Sequence, residues 1–377
     1  MKKFLLLVLA LTAFLSNGVR AQDAKEVKAW AGESYAAPQG SYTPSFENDG
    51  SETEIRNVIL MIGDGMGSGA VNAAMYANGG ELTMTNLKTM GYVRTQSADN
   101  TTTDSAASGT AYATGVKTNN GYLGVDPGLG VLENLPEKLA RLGYISGVVS
   151  TDDMSGATPA AFFAHQSARG ASGAIWADLA ESVLSFASAG TEQSFQKLEF
   201  KTREALEDEF DIVFSHEDAE KAVDSDRLLY LPETVATGER GDYLPRTTRL
   251  ALEYLSAKAE KGFFLMVEGA RIDKQEHNNS YDGMVEETLD FDKAVEEAIR
   301  FAEKDGHTLV IISADHETGA VTLTKCTPAD GHVQGVFASR GHSPMMVPLF
   351  AYGPHSREFS GVQENSDVSN KIFELLK

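Results

Sequence analysis

Five short apolar runs set the tightest limit on what this chain can fold into: 55–62 (IRNVILMI), 144–150 (YISGVVS), 263–267 (FFLMV), 308–313 (TLVIIS) and 347–352 (VPLFAY). Each is rich in β-branched or aromatic residues, is bounded by Gly or charged residues, and lacks the apolar–polar alternation of a half-exposed strand. Runs of that kind suit strands buried on both faces, as in a parallel sheet. Helical patterns lie between them at 136–142, 159–168, 175–187, 243–259 and 284–304. The alternation predicts an α/β fold, a three-layer sandwich with a mostly parallel central sheet and helices on both faces. Residues 190–242 are charged and weakly patterned and read as a surface excursion of the same domain.

The N-terminus reads as an export leader. Met1-Lys2-Lys3 is a basic start, 4–15 is apolar, and Val19-Arg20-Ala21 places small residues at −3 and −1 of a cleavage point after Ala21. An apolar stretch of about twelve residues is too short for a bilayer core of roughly 30 Å. The expected division is therefore a signal peptide 1–21, a polar Gly/Ser/Pro-rich N-terminal arm 22–54 that reads as a leader strap or loose arm, and a folded domain 55–377, with a periplasmic or secreted location. Acidic residues number 54 against 32 Lys plus Arg, a net charge of −22. Such a surface repels nucleic acid and anionic lipid, so neither is an expected partner, and no membrane contact is expected once the leader is gone. The single cysteine, Cys326, has no intramolecular partner for a disulfide.

Open α/β sheets bind ligands at the carboxyl ends of their strands. Three of the runs end in chemistry-bearing groups: Gly63-Asp64-Gly65 after the first, Glu268-Gly269 with Asp273 and His277 after the third, and Ala314-Asp315-His316-Glu317 after the fourth. Any one acid there is ordinary turn chemistry. Three such ends, two with a nearby His, form the oxygen and nitrogen donor set of zinc. Asp273 and His277 are spaced i, i+4 and face one side of a helical turn. Asp315-His316 needs an irregular backbone to aim both side chains at one centre. His342 lies in a Gly-containing loop just before the last run, whereas His165 and His332 fit this pattern less well, and His216, His307 and His355 read as surface positions.

Ser105 follows Asp104 at the start of a small-residue helix, 105–111. Asp104 there reads as an N-cap. Ser105 itself is open to two readings, a plain helix start or a nucleophile facing the N–H groups that attract phosphate. Thr158-Pro159 reads as a helix start with Pro at its first position, and Arg169 lies at that helix's far end. A cation at a helix C-terminus and a guanidinium fork on phosphoryl oxygens are both consistent with Arg169.

Together these segments resemble the alkaline phosphatase family. The resemblance runs from about Asn57 to the C-terminus, through NVILMIGDGMG (57–67), TDSAASGTAYATG (103–115), GATPAAFFAHQSAR (156–169), GFFLMVEGARIDKQEH (262–277), ISADHETGA (312–320) and RGHS (340–343), in matching order. It implies hydrolysis of phosphate monoesters through a phosphoserine on Ser105, with Arg169 as phosphate clamp and Lys274 near the phosphate. It implies two zinc ions, one on Asp273, His277 and His342 and one on Asp64, Asp315 and His316, and a magnesium on Asp64, Thr158 and Glu268. A phosphodiesterase or nucleotide pyrophosphatase of the same superfamily is the alternative. Ser105, Arg169, Thr158 and Glu268 favour the monoesterase over it, and over a secreted binding protein that has lost its nucleophile or clamp. Residues 105–109 lack the C/S-x-P-x-R pattern of a sulfatase.

Two departures from the family pattern stand out. Many members carry Asp or His two residues before the Thr of the magnesium site, where this chain has Gly156, with Asp152 and Asp153 just upstream. Insertions are short, so dimer-building elements are reduced and a homodimer is left open.

Overall fold

The computed structural model describes residues 28–32, 39–327 and 332–377, so the leader expected at 1–21 lies outside the described residues. The strands in chain order are β1 (Lys28–Gly32), β2 (Asn57–Gly63), β3 (Thr89–Arg94), β4 (Ile145–Ser150), β5 (Leu184–Ser188), β6 (Asp211–Val213), β7 (Leu228–Tyr230), β8 (Phe263–Gly269), β9 (Thr308–Ser313), β10 (Glu317–Thr318), β11 (Val321–Thr327), β12 (His332–Phe337), β13 (His342–Ser343), β14 (Val347–Tyr352) and β15 (Gly361–Glu364). Ten of them form one sheet in the order β15-β3-β14-β9-β2-β8-β4-β5-β7-β6. Within it β14 runs against its two neighbours and every other pairing is parallel. This is the α/β sandwich expected from the apolar runs.

All seven residues of β2 and of β8, and all six of β9 and β14, are buried. The absence of alternation in their sequences is thereby explained, since helices cover both faces. On one face helix Tyr243–Lys258 packs on β4, β5 and β8, and helix Tyr281–Asp305 packs on β2, β8 and β9. Helices Leu135–Ala140 and Ala157–Ala160 pack on β4, and helix Ala157–Ala160 also meets helix Ser105–Thr114. Each fully buried Val, Leu, Ile or Met in these strands contributes about 1.5–3 kcal/mol. The central four strands β9-β2-β8-β4 are thus rigid, and they place residues 64, 151–158, 268–277 and 314–316 side by side at one sheet edge.

Several expectations are corrected. The helix expected at 159–168 is a single turn, Ala157–Ala160, with Pro159 at its third position. Beyond it Gln166 bridges Leu123 and the Arg169 N–H donates to the Gly121 carbonyl, so tertiary pairing takes the backbone groups a helix would have used. Arg169 consequently sits in a loop and not at a helix end. The helix expected at 175–187 is helix Ser172–Glu181 followed by β5, with Ser182 at the break donating its hydroxyl to the Leu179 carbonyl. The segment 190–242 is more than a surface excursion: it adds β6 and β7 to the main sheet, as strands of three residues that are too short to show a period. The described residues of the arm are tied to the rest of the chain. β1 pairs with β12, and the Gln39 amide donates to the Leu289 carbonyl. His216 and His355 are half-buried, with side chains 13% and 19% exposed; His216 packs edge-on to Tyr230 and faces Glu220, and His355 faces Glu358.

His165, set apart from the other histidines by sequence, has a structural task. Its Nδ1 faces the Gly124 carbonyl and its Nε2 faces Glu137 Oε1, both at 2.9 Å. Two acceptors call for two N–H groups, hence an imidazolium. Burial opposes that charge, but the Glu137 and Gly124 hydrogen bonds and the charges of Glu137 and Asp178 outweigh it and raise the pKa above 6.5. A raised His pKa contributes stability that is complete below the ordinary value and is lost as pH climbs through the raised one. Thermal midpoints measured against pH are therefore expected to fall on the alkaline side of pH 6.5, and to fall less in His165→Gln than in the wild type.

Candidate functional site

Four segments meet at the carboxyl edge of the sheet. Asp64 follows β2 within Gly63-Asp64-Gly65, and Gly65 takes φ +74°. A Cβ at Gly65 would lie 2.9 Å from the Asp273 Cα and 2.7 Å from Glu276 Oε2, so glycine permits helix Arg271–His277 to close on the β2 end. The Asp273 N–H donates to the Asp64 carbonyl at 2.9 Å and ties the two together. After β9 the chain is irregular across Asp315 and His316, as their adjacency requires. β10 then pairs with β13 in the register Thr318↔His342, which brings His342 back beside His316. Their rings stack with centroids 3.5 Å apart.

Helix Ser105–Thr114 is pinned above this edge. The Ser108 hydroxyl donates to the Asp315 carbonyl at 2.6 Å, and the Tyr112 hydroxyl donates to the Ala314 carbonyl at 3.0 Å. Asp104 is the N-cap, accepting from the Ala107 N–H through Oδ1. Its Oδ2 accepts from the Gly121 N–H at 3.0 Å and from Arg169 Nη1 at 3.1 Å, so the cap residue also sets the clamp beside the helix start. Ser105 is buried, with Oγ 3.2 Å from His316 Nε2.

The hydrogen bonds assign the histidine tautomers. His342 Nδ1 faces the Thr103 carbonyl at 2.9 Å and His277 Nδ1 faces the Arg340 carbonyl at 2.5 Å, so both Nδ1 atoms donate. Thr318 spends its proton on Asp273 Oδ1 at 2.6 Å, leaving its oxygen to accept from His316 Nδ1. In their neutral forms His316 and His342 then present Nε2 lone pairs, as does His277 once its proton is lost, the second-shell pattern that aims imidazoles at a metal. The Nε2 atoms of His277 and His342 face each other at 3.3 Å, and Asp273 Oδ1 is 3.2 and 3.5 Å from them respectively. His316 Nε2 is 3.2 Å from Asp315 Oδ2 and 3.5 Å from Asp64 Oδ1.

Among the described residues two donor groups converge, Asp273 with His316 and His342, and Asp64 with Asp315 and His316. Asp64 Oδ1, Asp315 Oδ2 and Thr158 Oγ1 are buried with no hydrogen-bond partner. Orphaned buried oxygens are costly on their own, and divalent cations satisfy them. The donor chemistry therefore fits divalent cations, with His316 rather than His277 grouped with Asp273 and His342.

Electrostatics agree. Burial, then the Asp273 charge, pushes Asp315 up to about 7, and burial, then Asp152, pushes Glu268 up to about 8. Burial and His342 hold His316 well below 6.5, and burial lowers His342 as well, so both imidazoles stay neutral. The hydrogen bond to Asp273 lifts His277 to about 9, so a proton and a cation compete for that gap.

Every candidate from the sequence lies at this edge, though not all touch. Ser105, Asp64, Asp273, His277, Asp315, His316 and His342 form one network, with Arg169 joined through Asp104. Glu268 accepts from the Ser150 hydroxyl, Thr158 lies against Gly109 of the Ser105 helix, and Lys274 pairs with Asp152. Sequence reasoning missed Thr318, the second task of Asp104, and Glu276. Glu276 is buried with both oxygens unpaired, and burial with the nearby Glu317 and Asp273 raises its pKa well above 4.5. The signal for Glu276 was its place in the sequence between Asp273 and His277, one residue before the latter.

Fold and site define a class of enzyme: an α/β sandwich with a carboxylate–imidazole centre at the strand ends and a serine at a helix N-terminus beside it. The sequence profile of the alkaline phosphatase family matches residues 55–200 and 213–334. Alkaline phosphatase 4 of Bacillus subtilis is 30% identical, over 86% of this chain and 90% of its own. The solved alkaline phosphatase of the Antarctic bacterium TAB5 is 34% identical and superposes with a TM-score of 0.81, over 86% of this chain and 99% of that one. A mutant of the TAB5 enzyme with the same identity and TM-score has Mg bound in its M3 site. The chain belongs to the alkaline phosphatase family.

Proposed function

We propose that the chain is an exported phosphate-monoester hydrolase that works through a phosphoserine on Ser105. The observation that carries this reading is the buried Ser105 hydroxyl at a helix N-terminus, 3.2 Å from His316 Nε2, with Arg169 anchored alongside by Asp104. Asp273, His277 and His342 would hold one zinc, Asp64, Asp315 and His316 the other, and Asp64, Thr158 and Glu268 a magnesium. When bound, such ions supply Lewis-acid charge that favours deprotonated oxygen nucleophiles and stabilises charge developing on the phosphoryl group and its leaving oxygen.

The chain's own residues do the rest. The Arg169 fork and the N–H groups at the start of helix Ser105–Thr114 bind the dianionic phosphoryl and hold it in line with Ser105 Oγ. The Oγ–P bond forms as the ester P–O bond breaks, and the alcohol leaves. Water then attacks phosphorus from the vacated side, releasing phosphate and restoring the serine hydroxyl. Asp104 keeps Arg169 in register through both displacements. These contacts address the phosphoryl group, so phosphate monoesters as a class are the proposed substrates.

The leader 1–21, arm 22–54 and catalytic region 55–377 complete the reading. Among the described residues no helix is long and apolar enough to cross a membrane. N-terminal sequencing of the mature protein is expected to begin at Gln22.

Turnover of p-nitrophenyl phosphate against bis-p-nitrophenyl phosphate, with and without chelator, tests the chemistry. The monoester is expected to be faster, with activity lost on chelation and regained on adding zinc and magnesium. A faster diester would transfer the reading to a phosphodiesterase, and no turnover of either would remove it. Chelation is also expected to lower the thermal midpoint. A ligand at about 1,000 times its Kd stabilises by about 4 kcal/mol, and the orphaned Asp64 and Asp315 oxygens lose their partner when it leaves.

A further inference from the structure

The loop between β4 and helix Ala157–Ala160 carries two adjacent acids that point in opposite directions. Asp153 is structural: its Oδ1 accepts from the Ser155 N–H at 3.0 Å and from the Trp176 indole N–H at 3.1 Å. Asp152 turns inward. Its N–H donates to the Ser150 hydroxyl at 2.8 Å, and its carbonyl accepts from the Gly190 N–H at 2.6 Å. The same Ser150 hydroxyl donates to Glu268, so the Asp152 backbone is fixed to the floor of the site. Asp152 Oδ1 pairs with the Lys274 ammonium.

Its other oxygen lies over a glycine. A Cβ built at position 156 would lie 2.6 Å from Asp152 Oδ2, 2.8 Å from its Cγ and 2.9 Å from the Asp153 carbonyl oxygen. Gly156 has φ −58° and ψ 146°, a conformation open to any residue, so the dihedral angles do not require glycine there. The space does. The Asp152 carboxylate and the Asp153 carbonyl together fill the volume in which a side chain at 156 would begin.

We propose that Asp152 is the positioning residue for Lys274, and that its carboxylate lies over position 156, where glycine leaves it room. The inference rests on the reading of Lys274 as a cation near the phosphoryl group. A lysine on a four-carbon stem, 39% exposed, is free to adopt many rotamers, and pairing with a carboxylate fixed by its own backbone removes that freedom before substrate arrives. Asp152 Oδ1 is engaged by the ammonium, and Asp152 belongs to neither of the two converging donor groups among the described residues.

The test uses zinc- and magnesium-loaded protein and inorganic phosphate as the probe. Phosphate Kd, KM for p-nitrophenyl phosphate, and bound metal by mass spectrometry are measured for the wild type, Asp152→Ala, Asp152→Asn, Lys274→Ala and the Asp152→Ala/Lys274→Ala double variant. Each single change is expected to weaken phosphate roughly 3–10-fold, raise KM in parallel and leave metal content unchanged, and the double variant is expected to be no weaker than Lys274→Ala. Asp152→Asn should match Asp152→Ala, since shape without charge does not hold an ammonium. Gly156→Ala should weaken phosphate in the wild type and less so in the Asp152→Ala background, where the Asp153 carbonyl at 2.9 Å remains as a close neighbour of the new methyl.

Additive losses in the double variant would overturn the proposal, as would loss of a metal equivalent in Asp152→Ala or unchanged phosphate affinity in Lys274→Ala. Failure of the underlying functional reading is told apart by the wild type itself, which would then form no phosphoenzyme whatever the Asp152–Lys274 coupling.

Discussion

Ser105→Ala is expected to lower kcat for a phosphate monoester by at least about 10³-fold, because it removes the group to which the phosphoryl is transferred. The substitution is conservative for the fold. Alanine is the best helix former, the Asp104 cap bonds the Ala107 N–H and not Ser105, and the hydroxyl removed is small. Helix Ser105–Thr114 stays pinned by Ser108, Tyr112 and the Asn365 amide, which donates to Ser108 Oγ at 2.8 Å. Phosphate binding through Arg169 and the helix N-terminus should therefore survive while turnover collapses. Acid quenching with ³²P-labelled substrate is the check: the wild type should retain label on Ser105 and the variant none. Comparable activity or labelling in Ser105→Ala would end the phosphoserine reading.

Arg240→Met is expected to cost about 3–5 kcal/mol of folding stability, a third or more of a typical total. Arg240 bonds Glu287 through Nη1 at 2.8 Å and Nη2 at 2.5 Å, and reaches Asp290 Oδ2 at 2.6 Å. The side chains of Arg240, Glu287 and Asp290 are 4%, 1% and 15% exposed, so the ions are screened from water. Removing the guanidinium leaves two carboxylates side by side on helix Tyr281–Asp305. Burial already raises Asp290 to about 6 with the arginine in place. In the variant Asp290 can lower the penalty by binding a proton, so the stability deficit should be largest near neutral pH and shrink as pH falls toward 5. Urea unfolding at pH 8 and pH 5.5 measures this. A deficit under about 1 kcal/mol at pH 8 would mean that the ions behave as an exposed pair.

Arg240 also marks where sequence reading stopped. It lies in the stretch 190–242, whose charge suggests surface, yet its partners are 47 and 50 positions away on another element. Local pattern carries no such information. By contrast, the central strands were legible because burial on both faces leaves an uninterrupted apolar run, as in β2, β8 and β9. The acids and imidazoles at their carboxyl ends followed from the rule that open α/β sheets bind ligands there. His342 was a candidate only as a histidine in a glycine loop; its placement depends on a two-residue ladder, β10 with β13, too short for any periodicity. Arg169 was credited to a helix end because apolar spacing through 159–168 mimics a helix, although backbone pairing to Leu123 and Gly121 unwinds it. Asp152 and Asp153 look equivalent in sequence, and three-dimensional neighbours alone give one to Trp176 and the other to Lys274.

The central claim is that side chains from three strand ends and one return loop cage a pair of cations next to the Ser105 hydroxyl. Anomalous diffraction at the zinc edge, on crystals of protein purified without chelator, addresses it most directly. Two peaks per chain are expected, one bounded by Asp273, His277 and His342 and the other by Asp64, Asp315 and His316, both adjoining Ser105 Oγ. No peak at these donors, or zinc held elsewhere on the chain in an active preparation, would contradict it.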